Sequence, residues 1–320
     1  MSAISPPTSQ PDVTIPEYTG WRSWLDNERF LAMLMLLPAV IYIIVLVGFP
    51  FIMAILYSFS DITVASPRID RLTLETFQAT LGDKVFRTAL WNTLLFSVVS
   101  QVIVIILGNI LALALLEEFR GRWLVRLLIL LPWATPIAIS ALMWWLLLDN
   151  VNSPIDWMFR QVGLLGQDGV ISNANNMYWR VEYARLSVIL IYVWRILPMS
   201  TVILLAGLTS IPKDVKDAVA IDGVGFWTEF FEVTIPLLRP VLLVAFLFGV
   251  IFTFGDMTVI YVVTQGGPTN ATQVLPSWAY YQGIEGGSLA EGAATAIFML
   301  PVLFGVALIL LRTARRSEVN

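Results

Sequence analysis

The sequence predicts an all-α membrane protein with six transmembrane helices and a charged helical insert between the fourth and fifth. Three observations carry that expectation. Hydrophobic residues make up 58% of the 320, charged residues only 13%, and mean hydropathy is +0.78. A soluble domain averages about 45–50% apolar and about 25% charged residues. Second, six runs reach the roughly 20 apolar residues that cross a bilayer, at 30–59, 89–116, 124–148, 186–208, 237–263 and 293–311. Third, these runs are apolar around their whole circumference, and too few polar helices remain to cover them as cores of a soluble protein.

Residues 1–28 are polar and hold Pro6, Pro7, Pro11 and Pro16. They lack the basic start, short apolar core and small-residue cleavage site of a signal peptide, so they read as a disordered tail before an uncleaved first anchor. The transmembrane domain is expected over 29–316. Cations set its orientation. With the N-terminus inside, the inner segments hold Arg22, Arg29, Arg120, Arg122, Arg126, Lys213, Lys216, Arg239, Arg312, Arg315 and Arg316, eleven in all. The outer segments hold seven: Arg68, Arg71, Lys84, Arg87, Arg160, Arg180 and Arg185. Both termini are therefore expected in the cytoplasm. The second outer loop, about 149–185, is rich in Asn and Gly (Asn150, Asn152, Gly163, Gly166, Gly169, Asn173, Asn175, Asn176) with Trp157, Tyr178 and Trp179 interleaved. It reads either as a cap that touches an external partner or as an interfacial loop with aromatics at headgroup level.

The chain has no Cys and no His. That removes disulfides, thiolate nucleophiles, the commonest general base and the usual metal ligands. No basic patch suggests nucleic acid. An enzyme is the weaker reading.

The insert occupies 209–236. Ser210-Ile211-Pro212 reads as a helix start, with Asp214 and Asp217 near the positive end of the dipole. Val215, Ala218, Val219 and Asp222 recur at helical spacing, offering a small apolar face flanked by acids. Gly223 and Gly225 end that helix. A second short helix pairs Phe226 with Phe230 and Trp227 with Phe231, and Ile235-Pro236 is expected to stop it. An interfacial loop helix would show Leu, Phe and Trp where this one shows small side chains, so the first helix reads as a docking element.

This pattern resembles the EAA loop of ABC-importer permeases: Asp217-Ala218-Val219, then Gly223, then Val233-Thr234-Ile235-Pro236. It departs by Asp for Glu, Val for the second Ala, Val for Ile and Ile for Leu. Leu36-Leu37-Pro38-Ala39, Asn92-Thr93-Leu94, Arg120-Gly121-Arg122 with Leu131-Pro132-Trp133, and Trp194-Arg195 look like the carbohydrate-uptake branch. So do Phe254-Gly255-Asp256, Val263 to Pro268 and Asn270-Ala271-Thr272, which are similar to the first permease of maltose, trehalose and glycerol-phosphate systems. The resemblance implies a multi-pass protein of the prokaryotic inner membrane that moves a sugar or sugar-like solute by alternating access. Asp217, Ala218, Val219, Asp222, Gly223, Ile235 and Pro236 would couple it to an ATPase. The implied partners are a second homologous permease, a cytoplasmic ATP-binding subunit dimer, an external substrate-binding protein and the lipid bilayer. The chain lacks a Gly-rich Lys-Ser/Thr phosphate loop, so ATP and Mg would sit on the partner and this subunit would carry no cofactor and no catalysis.

Arg195 and Asp256 fall inside apolar runs, where charge is costly and faces a partner or a water-filled path. They either pair, border the path, or snorkel from their helix ends. Asn92, Gln101 and Asn109 on the second span read as interhelical glue or sugar contacts. Trp144, Trp145, Tyr192, Trp194, Phe252 and Tyr261 would supply aromatic faces to a sugar, or form interfacial belts. The candidate path is therefore Asn109, Trp145, Trp194, Arg195, Phe252 and Asp256. A secondary transporter would show broken-helix repeats with ion-coordinating carboxylates, which the sequence does not.

Overall fold

The computed structural model describes residues 28–149, 151–166 and 176–318. The expected tail up to residue 27, and Asn150, Gly169, Asn173 and Asn175 of the second outer loop, lie outside them. Residues up to Met53 form one compact unit and those from Ala54 a second. Among the described residues there is no strand, and Ser60 and Leu72 form an isolated bridge.

The first unit holds α1 (Glu28–Ile43), a π turn (Ile44–Gly48) and the start of α2 (Phe49–Ser58). Leu, Met and Ala favour the helix, and Arg29–Ser58 makes an apolar helical stretch of 30 residues.

The second unit is built on α4 (Lys84–Leu116), which follows the short α3 (Glu75–Gly82). Asp83 caps α4 by accepting from Val85 N at 2.8 Å. After the short α7 (Pro154–Gln161), the helix α8 (Ala184–Ser210) lies along α4, and α11 (Ile235–Phe254) rests on both and on α13 (Leu289–Glu318). One face of α4 explains this arrangement. Asn92, Thr93, Ser97, Ser100, Gln101, Gly108 and Asn109 are all buried, so small and polar groups let the neighbouring backbones approach. Asn92 Nδ2 donates to Ala271 O at 2.8 Å and Gln273 O at 2.9 Å, and Thr93 Oγ1 accepts from Leu275 N at 2.8 Å. These three bonds hold the turn before α12 (Leu275–Tyr280). Gln101 Nε2 donates to Thr253 Oγ1 at 3.1 Å in α11, whose Oγ1 in turn donates to Gly249 O at 2.9 Å.

A methyl built on Gly249 would overlap the Gln101 carboxamide. Gly249→Ala is therefore expected to destabilise the unit by about 2 kcal/mol, as for an overpacked core. In a Gln101→Ala background the same substitution should cost little, because the collision partner is gone. Thermal unfolding of the four variants checks it, and an uncoupled pair would remove the close-contact explanation.

Two expectations are corrected here. The third span, expected as one run over 124–148, is a broken pair: α5 (Arg122–Ala134) and α6 (Ile137–Leu147), bent by 96°. The cause is Thr135-Pro136, both extended, with ψ of 132° and 134°. A proline pushes its predecessor out of the helical region. The fifth span does not begin after a stop at Ile235-Pro236. The chain runs through α10 (Phe226–Thr228), a π segment (Glu229–Thr234) and α11 as one 29-residue apolar stretch from Phe226 to Phe254. Pro236 falls in the first turn of α11, and the π segment takes up the register change there. The helix then ends at Gly255, before Asp256 and not at 263, with a further π turn at Ile260–Thr264. Among the described residues five helices are thus long and apolar enough to cross a membrane, or six if the bent pair counts as one span.

Candidate functional site

The insert folds as α9 (Lys213–Asp222). Ser210 does not cap it. That residue ends α8, where its Oγ donates to Gly207 O at 2.7 Å, and Pro212 occupies the cap position without a side-chain bond. Asp214 lies in the first turn, where the helix dipole favours an anion. Gly223 closes the helix in the left-handed conformation at φ 63°, which costs glycine nothing. Gly225 has an ordinary φ of −72° and is not required by geometry.

The faces of α9 differ from the expectation. Val215 and Val219 are half-buried and line a cleft of about 430 Å³ with Leu116, Leu208, Ile211 and Phe230. Asp214, Asp217, Ala218, Ile221 and Asp222 are exposed, Ile221 to 85%. Val219 therefore faces the cleft and the bundle beyond it, and the outward face is Asp217, Ala218, Ile221 and Asp222. The apolar sector was wide enough to include both, because Val219 and Ala218 lie only about 100° apart on a helix. Beyond the turn, Phe226 stacks on Phe230 at 6.1 Å and 9°, and Trp227 on Phe231 at 6.0 Å and 17°. Ile235 is half-buried and Pro236 exposed on the stem of α11.

At the other end of α11, Arg195 Nη1 meets Asp256 Oδ2 at 3.3 Å, with side chains 17% and 6% exposed. Asp256 Oδ1 also accepts from Thr258 N at 2.7 Å, and its backbone carbonyl accepts from the Tyr192 hydroxyl at 3.3 Å. The pair borders a cleft of about 340 Å³ with Ile137, Ile251, Phe252 and Gly255. Phe252 is 40% exposed and packs on Phe248 at 4.5 Å and Trp133 at 5.3 Å. Trp194 meets Trp144 edge to face at 5.6 Å.

Three of the expected path residues do not line this cleft: Trp194, which packs on Trp144, Asn109 and Trp145. Asn109 is buried about two turns before the end of α4, where its Nδ2 donates to Ile105 O at 2.9 Å. Trp145 turns to the loop, under the Arg180 guanidinium at 4.9 Å. The candidate path omitted Thr258, and it omitted Trp133, which the sequence offered only within Leu131-Pro132-Trp133. The signals for them were the Asp-x-Thr spacing of a local turn and the Pro132-Trp133 step ahead of the bend.

Arg180 also holds Asp149, at 2.7 Å. Backbone N–H groups of Asn152 and then Val151, followed by Arg180, keep the Asp149 carboxyl below its ordinary value of 3.8. Because the folded-state value is depressed, its contribution is complete above pH 3.8 and is lost as pH falls through the lower folded value. Amide exchange at Val151 and Asn152 is expected to quicken in that acid window, and Asp149→Ala should show the fast rates already at neutral pH. Equal rates in both proteins would exclude the clasp.

Over residues 104–316 the chain matches the family described as binding-protein-dependent transport system inner membrane component. It is 31% identical to a probable ABC transporter permease protein of Brucella suis biovar 1, over 76% of this chain and 82% of that one. It is 30% identical to the trehalose/maltose transport system permease protein MalF of Thermococcus litoralis, over 90% and 95%. It is 29% identical to the sulfoquinovosyl glycerol transport system permease protein SmoG of Agrobacterium fabrum, over 93% and 95%. A bacterial ABC transporter involved in the import of the acidic polysaccharide alginate has the same fold, with a TM-score of 0.76 at 22% identity over 92% of this chain and 99% of that one. The chain belongs to the inner membrane components of binding-protein-dependent transport systems, the permeases of ABC transporters.

Proposed function

We propose that this permease moves a sugar or sugar-like solute into the cell, driven by ATP hydrolysis on a separate subunit. The relatives named for trehalose/maltose, sulfoquinovosyl glycerol and diacetylchitobiose transport support the carbohydrate class, and one named for sn-glycerol-3-phosphate marks the alternative solute. Both termini and α9 face the cytoplasm in this reading, in line with the eleven inner and seven outer cations. Asp217, Ala218, Ile221 and Asp222 dock into a cleft of the ATP-binding subunits, which hold ATP and Mg. Gly223 sets the turn, and Ile235 and Pro236 join it to the spans. A second homologous permease completes the path, and an external binding protein delivers the solute.

One observation carries the mechanism. The stretch from Phe226 to Phe254 is a single apolar helix of 29 residues with α9 at one end and Asp256 just past the other. At 1.5 Å per residue it is a lever of about 43 Å. Movement of a docked α9 would pass the short Gly223 turn and then reach the Arg195–Asp256 cleft along packed helix. Rocking of two such halves gives alternating access.

Purification of the assembled transporter and reconstitution into liposomes with the binding protein tests this. Sugar uptake should require ATP and persist without an ion gradient. Uptake driven by an ion gradient after ATP is exhausted would replace this reading with a secondary transporter.

A further inference from the structure

A cleft of about 370 Å³ opens between α5 and α8, at the end of the bundle that carries α9. Arg126, Ile129, Leu130, Val202, Leu205 and Thr209 line it, and Arg126 is the one charged group among its described lining residues. Its polarity runs in one direction. Arg126 and Thr209 stand at the loop end, while Leu130, Leu205 and Val202 continue toward the middle of the spans. The α8 wall from Thr201 to Thr209 covers nine residues, or about 12 Å of helix rise from the first to the last. That fits within one leaflet of a hydrocarbon core about 30 Å thick.

The cationic end has unused hydrogen-bonding capacity. Arg126 Nη2 donates weakly to Leu115 O at 3.4 Å, and its buried Nε has no partner. Arg122, one turn earlier, also has a buried Nε without a partner. Among the described residues no carboxylate lies within 4.0 Å of either guanidinium. Buried donors normally find acceptors, and guanidinium is suited to bidentate binding of phosphate.

We propose that this cleft binds an anionic phospholipid of the leaflet next to α9. The phosphate accepts hydrogen bonds from Arg126, with Arg122 beside it, and one acyl chain lies along Ile129, Leu130, Val202 and Leu205. A basic pocket between spans with apolar walls above it is the physical form of headgroup recognition. A free phosphate would satisfy the mouth and leave the apolar walls unused. A helix of a partner subunit would have to bring its own anion to Arg126.

The test uses the assembled transporter, delipidated in detergent and titrated with phosphatidylglycerol, phosphatidylcholine or inorganic phosphate while the unfolding temperature is read. Phosphatidylglycerol should raise it saturably, phosphatidylcholine less, and phosphate not at all. Arg126→Gln should weaken the half-saturation about five-fold. Leu205→Trp, which fills the groove and keeps the arginine, should abolish the specific response. Equal phosphatidylglycerol responses in wild type and both variants would overturn the proposal, as would a phosphate response matching the lipid's. The natural chain has no Cys, so Val202→Cys gives a third readout with a bilayer-soluble maleimide. Labelling that phosphatidylglycerol blocks supports the site. Protection that persists after delipidation would assign the cleft to a partner subunit and sink the proposal.

Discussion

Ala218→Trp is expected to lower ATP-driven uptake by about 30-fold, the effect of losing roughly 2 kcal/mol at a docking hot spot, while leaving the permease folded and inserted. Ala218 is exposed on α9, so the larger ring projects from the outward face. It meets whatever seats against that face. Gly223→Pro should be more severe. The position needs φ near 63°, and proline is locked near about −65°, so the helix end and the Phe226 turn cannot form together. Gly225→Ala is the control, because its φ of −72° suits any residue and nothing lies within 4 Å of an added methyl. The expected pattern is lost uptake in Ala218→Trp and Gly223→Pro, with normal uptake in Gly225→Ala. Membrane levels of all three should match wild type, and ATPase subunits should co-purify poorly with the first two. Wild-type uptake in Ala218→Trp would mean that α9 does not dock through its exposed face.

What could be read from the sequence divides along physical lines. Hydropathy is a local sum, so the apolar runs and their lengths were legible. So were features set by a few neighbouring residues, such as the left-handed turn at Gly223 and the stacked pairs Phe226/Phe230 and Trp227/Phe231. Direction was not legible. A hydropathy window adds Leu131 to Leu142 without registering that the chain turns by 96° between them, although Thr135-Pro136 carried the warning. Tertiary contact decided the α9 faces, because nothing in the sequence says whether Val219 or Ala218 meets the bundle. Trp144 and Trp145 make the same point: adjacent on one helix, they diverge, one to Trp194 and the other to Arg180. The pairing of Arg195 with Asp256 joins residues 61 apart in the chain. Cost of burial suggested that each needed a partner, and the fold supplied it.

That ion pair yields the second large effect. With side chains 17% and 6% exposed, removal of one member leaves a charge in a low-dielectric setting, a loss of about 3 kcal/mol or more. Arg195→Gln and Asp256→Asn should therefore each reduce assembled transporter sharply. The structure further predicts that reversing the two charges restores little. Asp256 Oδ1 accepts from Thr258 N, and an arginine at 256 would set a donor against that N–H. The paired neutral variant, Arg195→Gln with Asp256→Asn, should recover more, because the Asn carbonyl still accepts from Thr258 and no isolated charge remains. The double-mutant cycle should show favourable coupling between the two sites. Solute uptake by the recovered double variant then separates two roles for the pair. Near-normal transport would make it a structural clasp beside the cleft. Intact assembly with lost transport would place the charges in the path of the solute. Additive losses in the cycle would show that the 3.3 Å contact contributes nothing to the fold.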